Sequence, residues 1–185
     1  MIEICLFLGK RLITLILCLV IMFLLVGCGA KTTGNDVSHI ATGEINNAKS
    51  IREDVCELYL NVLEDLWNVD PGLNNEISQI GIDLSEFSDL SEAEKEHVTS
   101  EFASKHNLPY IVGTWEELCE QGYIDKENLI WEDGLFLSIK TNEDNSSFDA
   151  YKWRSGLGAY FFGQCTAQKN ADGTWSYTVG QEMIS

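Results

Sequence analysis

The stretch Leu135-Phe136-Leu137-Ser138-Ile139-Lys140 decides the fold. Leu135, Leu137 and Ile139 alternate with Phe136, Ser138 and Lys140, a period of two. Successive side chains of a strand point to opposite faces, so this alternation predicts a strand. Phe148, Ala150, Tyr151 and Trp153 predict a second strand beyond a polar turn. Residues 159–169 predict a long third strand. Asn170-Ala171-Asp172-Gly173 has the turn residues of a hairpin connector. Trp175, Tyr177 and Val179 then alternate with Ser176 and Thr178 as a fourth, half-buried strand.

Before Leu129 the period is helical. Over residues 46–69, Ala48, Ile51, Val55, Leu58, Val62 and Leu66 recur at spacings of three and four. Cys56, Tyr59, Leu63 and Trp67 widen that stripe, and acids fill much of the rest, as in an amphipathic core-facing helix. Asp70-Pro71-Gly72 ends it, because proline cannot continue a helix. Residues 73–90 leave a short helix and an extended stretch both open for Ile77, Ile80 and Ile82.

Ser91-Glu92-Ala93-Glu94 has the spacing of a capping box and predicts a second helix. Its inward residues are expected to be Ala93, Val98 and Phe102, with Asn107 as a left-handed cap before Pro109. A brief strand at residues 110–112 precedes a second capping box, Thr114-Trp115-Glu116-Glu117, whose short helix ends at Gly122. Helices first and strands later predict an α+β domain over residues 46–185. Three helices are expected on one face of a curved, antiparallel four-stranded meander. A cystatin-like or NTF2-like cone is the nearest architecture, an analogy that carries no function by itself.

The N-terminus carries a different message. Lys10 and Arg11 precede fifteen residues, 12–26, in which only Thr14 is polar, and small Gly27 then precedes Cys28. Charge, apolar run and small-residue cleavage site are the parts of a secretory signal. The run is short for a bilayer span, which needs about 20 residues. Leu25-Val26-Gly27-Cys28 resembles the lipobox of bacterial lipoproteins. The resemblance implies a lipid on the Cys28 sulfur, removal of residues 1–27 and a mature chain beginning at Cys28. The alternative is a retained transmembrane anchor. Either places the domain on the extracytoplasmic face of a cell membrane. Residues 28–45 then read as lipidated cysteine and tether, since Gly29, Gly34, Gly43 and their polar neighbours show no apolar period.

Loss of Glu3, Lys10 and Arg11 with the signal moves the net charge from −17 to −18. Such a chain avoids nucleic acid, itself a polyanion. Of six cysteines, Cys56, Cys119 and Cys165 remain once Cys28 is lipidated. Three thiols allow at most one bridge, and their apolar neighbours predict buried, inert groups.

Candidate sites are few. Ser155-Gly156-Leu157-Gly158-Ala159-Tyr160 places two glycines before an aromatic strand, which suits a bulge or the rim of a pocket. Tyr151, Trp153, Tyr160, Trp175 and Tyr177 lie in neighbouring strands. Exposed, they would form a platform for sugar rings or peptide chains; buried, they are core. Lys152, Arg154 and Gln164 are the polar residues placed to line such a concavity. The candidate ligand-binding set is therefore Trp153, Arg154, Gly156, Gly158, Tyr160 and Gln164. The acids and amides at Asn142, Glu143, Asp144, Asn145 and Asp149 lack the spacing of a calcium loop. His97 and His106 are not at metal-ligand spacing, and Cys119 has no catalytic signature around it. No cofactor, metal or catalytic residue is assigned. The expected function is a lipid-anchored domain that binds a small molecule, glycan or protein. A small hydrolase or isomerase in the same concavity is the alternative.

Overall fold

Among the described residues, 51–143 and 146–185 of a computed structural model, three α-helices and seven strands form. The helices are α1 (Glu53–Asn68), α2 (Glu92–His106) and α3 (Trp115–Glu120). The strands are β1 (Gln79–Asp83), β2 (Tyr110–Val112), β3 (Gly134–Thr141), β4 (Phe148–Ser155), β5 (Gly158–Lys169), β6 (Trp175–Thr178) and β7 (Gln181–Ile184). The signal segment, Cys28 and the tether lie outside the described residues, as do Asp144 and Asn145. No helix among the described residues is long and apolar enough to cross a membrane.

The sheet is open and mostly antiparallel, with strand order β2-β1-β3-β4-β5-β6 and β7 also paired to β5. The four strands expected from alternation are present as β3 to β6. β2 is the brief strand expected at residues 110–112, whereas β1 and β7 are additional, and all of them join one seven-stranded sheet in place of the expected four-stranded meander. Residues 79–83 settle the open segment as a strand, and β1 lies parallel to both β2 and β3. Parallel neighbours require a crossover connection, and α2 supplies it between β1 and β2. Thr166↔Thr178 and Gly163↔Gln181 share one register, so β6 and β7 are a single return strand interrupted at Val179-Gly180.

Two apolar clusters lie on opposite faces of this sheet. The larger joins Val62, Leu63 and Leu66 of α1 and Val98 and Phe102 of α2 to Ile80, Ile82, Leu135, Leu137 and Ile139. The smaller joins Leu118 of α3, Ile124 and Trp131 to Phe136, which points away from its neighbours Leu135 and Leu137. The helices are therefore not all on one face: α3 belongs to the second layer. Two glycines make room for that layer. A Cβ at Gly134 would sit 1.9 Å from Trp131 Cε2, and one at Gly81 would sit 2.8 Å from Trp131 Cζ3. The indole lies directly on the backbone of β1 and β3.

Both expected capping boxes are formed. Asn107 caps α2 with a φ of 53°. One helix-face expectation is reversed. Ala93 is exposed, and its neighbour Glu94 is fully buried. The Glu94 carboxylate accepts from Ser91 N and Oγ at 2.8 Å each and from Arg52 Nε and Nη2 at 2.8 Å each. The Arg52 guanidinium holds it well below the usual carboxylate range despite burial.

Candidate functional site

β4 alternates buried with half-buried residues, and that alternation builds the site. Asp149, Tyr151 and Trp153 oppose Lys140, Ser138 and Phe136 on β3. Phe161 of β5 opposes Tyr151, and Met183 of β7 opposes Phe161. These side chains share the face away from α1 and α2. Layer α3 covers it only in part, where Trp115 meets Trp153 edge-on with centroids 5.9 Å apart. Tyr151 and Phe161 form a second edge-on pair at 5.2 Å. All four rings are half-buried, and Met183 is 48% exposed. Lys126 Nζ lies 6.0 Å over the Trp115 ring.

Polar groups border the rings. The Tyr151 hydroxyl lies 3.5 Å from Asp149 Oδ2. Burial, and then the Asp149 charge, push its phenol upward. Burial lowers the Lys140 ammonium, but Glu86, paired at 3.1 Å, together with the charges of Asp83 and Glu116 raises it on balance. Flat apolar rings with a polar border are suited to ligands that are themselves flat and amphipathic.

The six candidate residues do not converge. Trp153 lies on this aromatic face, but Arg154 and Tyr160 lie on the opposite one, because adjacent strand residues alternate. Arg154 is occupied by backbone carbonyls, donating to Leu73 O at 3.1 Å, to Asn75 O, and to Glu132 O at 2.8 Å. The Tyr160 hydroxyl donates to Glu182, and its ring packs against the larger cluster. Gly156 and Gly158 form the tight β4–β5 turn. Gly156 N–H donates to Leu129 O at 2.8 Å, and a Cβ at Gly158 would meet Leu73 at 2.9 Å. Gln164 is exposed at a β-bulge, with φ of 52° and its N–H donating to Asp149 Oδ1 at 2.7 Å.

Lys152, expected to line a concavity, is fully buried and structural. Its Nζ donates to Trp67 O at 2.9 Å, Val69 O at 2.6 Å and Asp70 O at 3.2 Å. Those three bonds use all its donors. They place a cation where the final carbonyls of α1 need partners. Burial pushes the ammonium down to about 8, against the pull of Asp70.

The aromatic row divides in the same way. Trp175 Nε1 donates to Asp54 at 2.9 Å, and the Tyr177 hydroxyl donates to Asp65 at 2.5 Å, so both are turned toward α1. Trp115, Phe161 and Met183 were missing from the expected set. Parity along β4 already joined Tyr151 to Trp153. The partner register that adds Phe161 and Met183 is a tertiary fact.

A cavity of about 330 Å³ lies on the other face, lined by Arg52, Tyr59, Phe87, Asp89, Phe148 and Trp175. Its polar groups are already partnered: Arg52 with Glu94 and Asp89 O, the Tyr59 hydroxyl donating to Asp89 at 2.8 Å, and Trp175 donating to Asp54. Cys56, Cys119 and Cys165 are free thiols. Burial pushes Cys56 up to about 11 and Cys165 up to about 12. Cys119 packs against the smaller cluster, whereas His106 stacks on Trp67 at 4.1 Å and meets Glu64 at 3.1 Å. Among the described residues no group of three or more His, Cys, Asp or Glu could hold a metal. No family model, curated protein or solved structure matches this chain.

Proposed function

We propose that this chain is a lipid-anchored extracytoplasmic binding domain whose recognition surface is the aromatic face of β4, β5 and β7. The observation that carries the reading is the row Trp115, Trp153, Tyr151 and Phe161, half-buried on a face that no helix fully covers. Rings buried for stability alone sit under a second layer; these sit where that layer ends. The ligand class is a sugar ring or an extended peptide, which stacks on aromatic faces and meets Asp149 and Lys140 at the border. Cys28, read as the lipidated residue, would hold the domain at the membrane through residues 28–45.

A cystatin-like or NTF2-like cone is the nearest analogy for the meander of β3 to β6 with α1. The hydrolase or isomerase alternative gains no support from the helix-side face. Lys152 and Arg154, its strongest polar groups, are occupied by backbone carbonyls.

Tryptophan fluorescence and thermal shift of the full-length chain against oligosaccharides and peptides test the proposal. A ligand at 100 times its dissociation constant stabilises by about 2.7 kcal/mol. A saturable response abolished in Trp153→Ala is the expected result. A response that survives in both Trp153→Ala and Tyr151→Ser removes the aromatic face from the proposal. The anchor is tested separately: Cys28→Ala should abolish lipid labelling and membrane retention, and unchanged labelling would reject the lipoprotein reading.

A further inference from the structure

A second crevice, apart from the aromatic face, opens at the carboxyl ends of the parallel strands β1 and β2. It holds about 220 Å³ and is lined by Asp83, Ser85, Glu92, Lys95, Glu96 and Glu117, among others. Crevices at the carboxyl ends of parallel strands are where open sheets with crossover helices bind ligands. Among the lining residues four carboxylates face one ammonium, that of Lys95; Lys140, outside the lining, is near enough to feel the Asp83 charge. The Lys95 ammonium is already bonded to Glu92 at 2.9 Å and to Ser85 O at 3.3 Å.

Asp83 is the unusual member. It is 2% exposed, at the last position of β1. Its Oδ1 accepts from Ser85 N at 2.9 Å and from Ser85 Oγ at 2.6 Å. Its Oδ2 is buried with no hydrogen-bond partner. A buried acceptor left unpaired costs about 1–3 kcal/mol, more when it is charged. A strand end does not require that cost, since an asparagine or serine would serve the same turn. A donor arriving from the crevice removes it.

We propose that this crevice binds an organic cation, a primary ammonium or guanidinium group, with Asp83 Oδ2 as its buried anchor and Glu92, Glu96 and Glu117 as the surrounding charge. The size fits a headgroup rather than a whole ligand, because sites for larger molecules span about 300–1,000 Å³. A guanidinium makes paired bonds to a carboxylate, and an ammonium makes one charge-assisted bond. The cation is organic because the acids here are not grouped as metal ligands. Two sources share this chemistry: a free small amine and the basic side chain of a peptide partner.

Thermal shift of the full-length chain in detergent, against methylguanidinium, butylammonium and a capped Ala-Arg-Ala peptide, tests the assignment. The wild type should show a saturable rise in melting temperature. Asp83→Asn, which keeps an acceptor for Ser85, should bind at least tenfold more weakly. Glu127→Gln, a charge-matched change outside the crevice, should respond like wild type. Tenfold tighter binding of the peptide identifies a partner's side chain as the source; equal affinity identifies a free cation.

A saturable response to magnesium or calcium chloride alone that Asp83→Asn loses overturns the proposal in favour of a metal. Equal loss in Glu127→Gln overturns it in favour of bulk charge. No response in the wild type also overturns it. Should Asp83→Asn fail to fold, amide chemical shifts of the wild type decide. Changes confined to residues 83–85 and 112–114 support the site, and changes elsewhere reject it.

Discussion

The parallel half of the sheet and the antiparallel half are built from one continuous ladder yet face their surroundings differently. In β1, residues 80–83 are all buried, and in β3 residues 134–139 are all buried. In β4, Phe148, Ala150 and Lys152 are buried while Asp149, Tyr151 and Trp153 are half-exposed. Crossover connections place helices on the faces of parallel strands, whereas hairpins leave one face free. Here α1 and α2 cover one face, and α3 with Trp131 covers the other only as far as Trp153. The candidate recognition surface begins where the second layer stops. The comparison predicts that disrupting either layer of the parallel half is costly. In the antiparallel half only the helix side should be.

The largest effect is expected on the helix side of the parallel half. Glu94→Ala leaves Arg52 Nε and the α2 cap without an acceptor, while Arg52 Nη2 keeps Asp89 O; with Arg52 39% exposed, the loss should be about 3 kcal/mol, the low end for a broken buried pair. Equilibrium urea unfolding measures it. The sign of the pH dependence follows from the depressed carboxyl. The charged form is stabilised by folding, so its contribution is complete above the ordinary value of 4.5 and is lost as pH falls below it. Wild-type stability should decline through that acid range more steeply than that of Glu94→Ala. Equal slopes would place the acid sensitivity elsewhere.

Gly134→Ala probes the second layer. The new methyl group would overlap the Trp131 ring, and overpacking of this kind costs about 3 kcal/mol at the upper end. A change below about 0.5 kcal/mol, the level of an ordinary surface substitution, would show that the second layer is dispensable and the comparison wrong.

Lys152→Met tests the covered side of the antiparallel half. Trp67 O keeps Asn74 and Asp70 O keeps Leu73 N–H, so Val69 O is the carbonyl left without a partner. One stranded carbonyl costs about 2 kcal/mol, partly offset by relief from burying a charge. A more stable variant would show that the buried ammonium is a net cost.

What could be read from the sequence follows the same division. β4 alternates because one of its faces is half-exposed, whereas β3, buried over residues 134–139, was legible because Leu135, Leu137 and Ile139 alternate with Phe136, Ser138 and Lys140. The capping boxes at Ser91 and Thr114 were equally readable, since their chemistry is local. β1 was obscured: Gln79-Ile80-Gly81-Ile82-Asp83 is buried on both faces, and its glycine serves a tryptophan fifty residues away. The alternation Ile80-Gly81-Ile82 is too short to decide, because Ile77, three residues before Ile80, fits a helical spacing as well. The site was half readable. Parity along β4 is a sequence property and links Tyr151 with Trp153. The partners of Lys152 and Arg154 were not legible, because nothing local says that the end of α1, the segment after it and Glu132 supply their acceptors.

The smallest stability effect is expected on the aromatic face, and it separates that face from core. Tyr151→Ser removes an edge-on contact with Phe161 and a long hydroxyl contact to Asp149. Such ring pairs contribute about 0.5–1.5 kcal/mol beyond their buried area. Half-exposed, Tyr151 also gives up less area than a core ring would, so the total loss should be about 1 kcal/mol. Ala150→Ser, one residue earlier and fully buried against Phe162, should cost more although it adds only an oxygen. That inversion, with the larger truncation less harmful than the smaller change, is what alternation along β4 requires. If Tyr151→Ser instead unfolds the domain while Ala150→Ser is neutral, the face assigned here as open is the core.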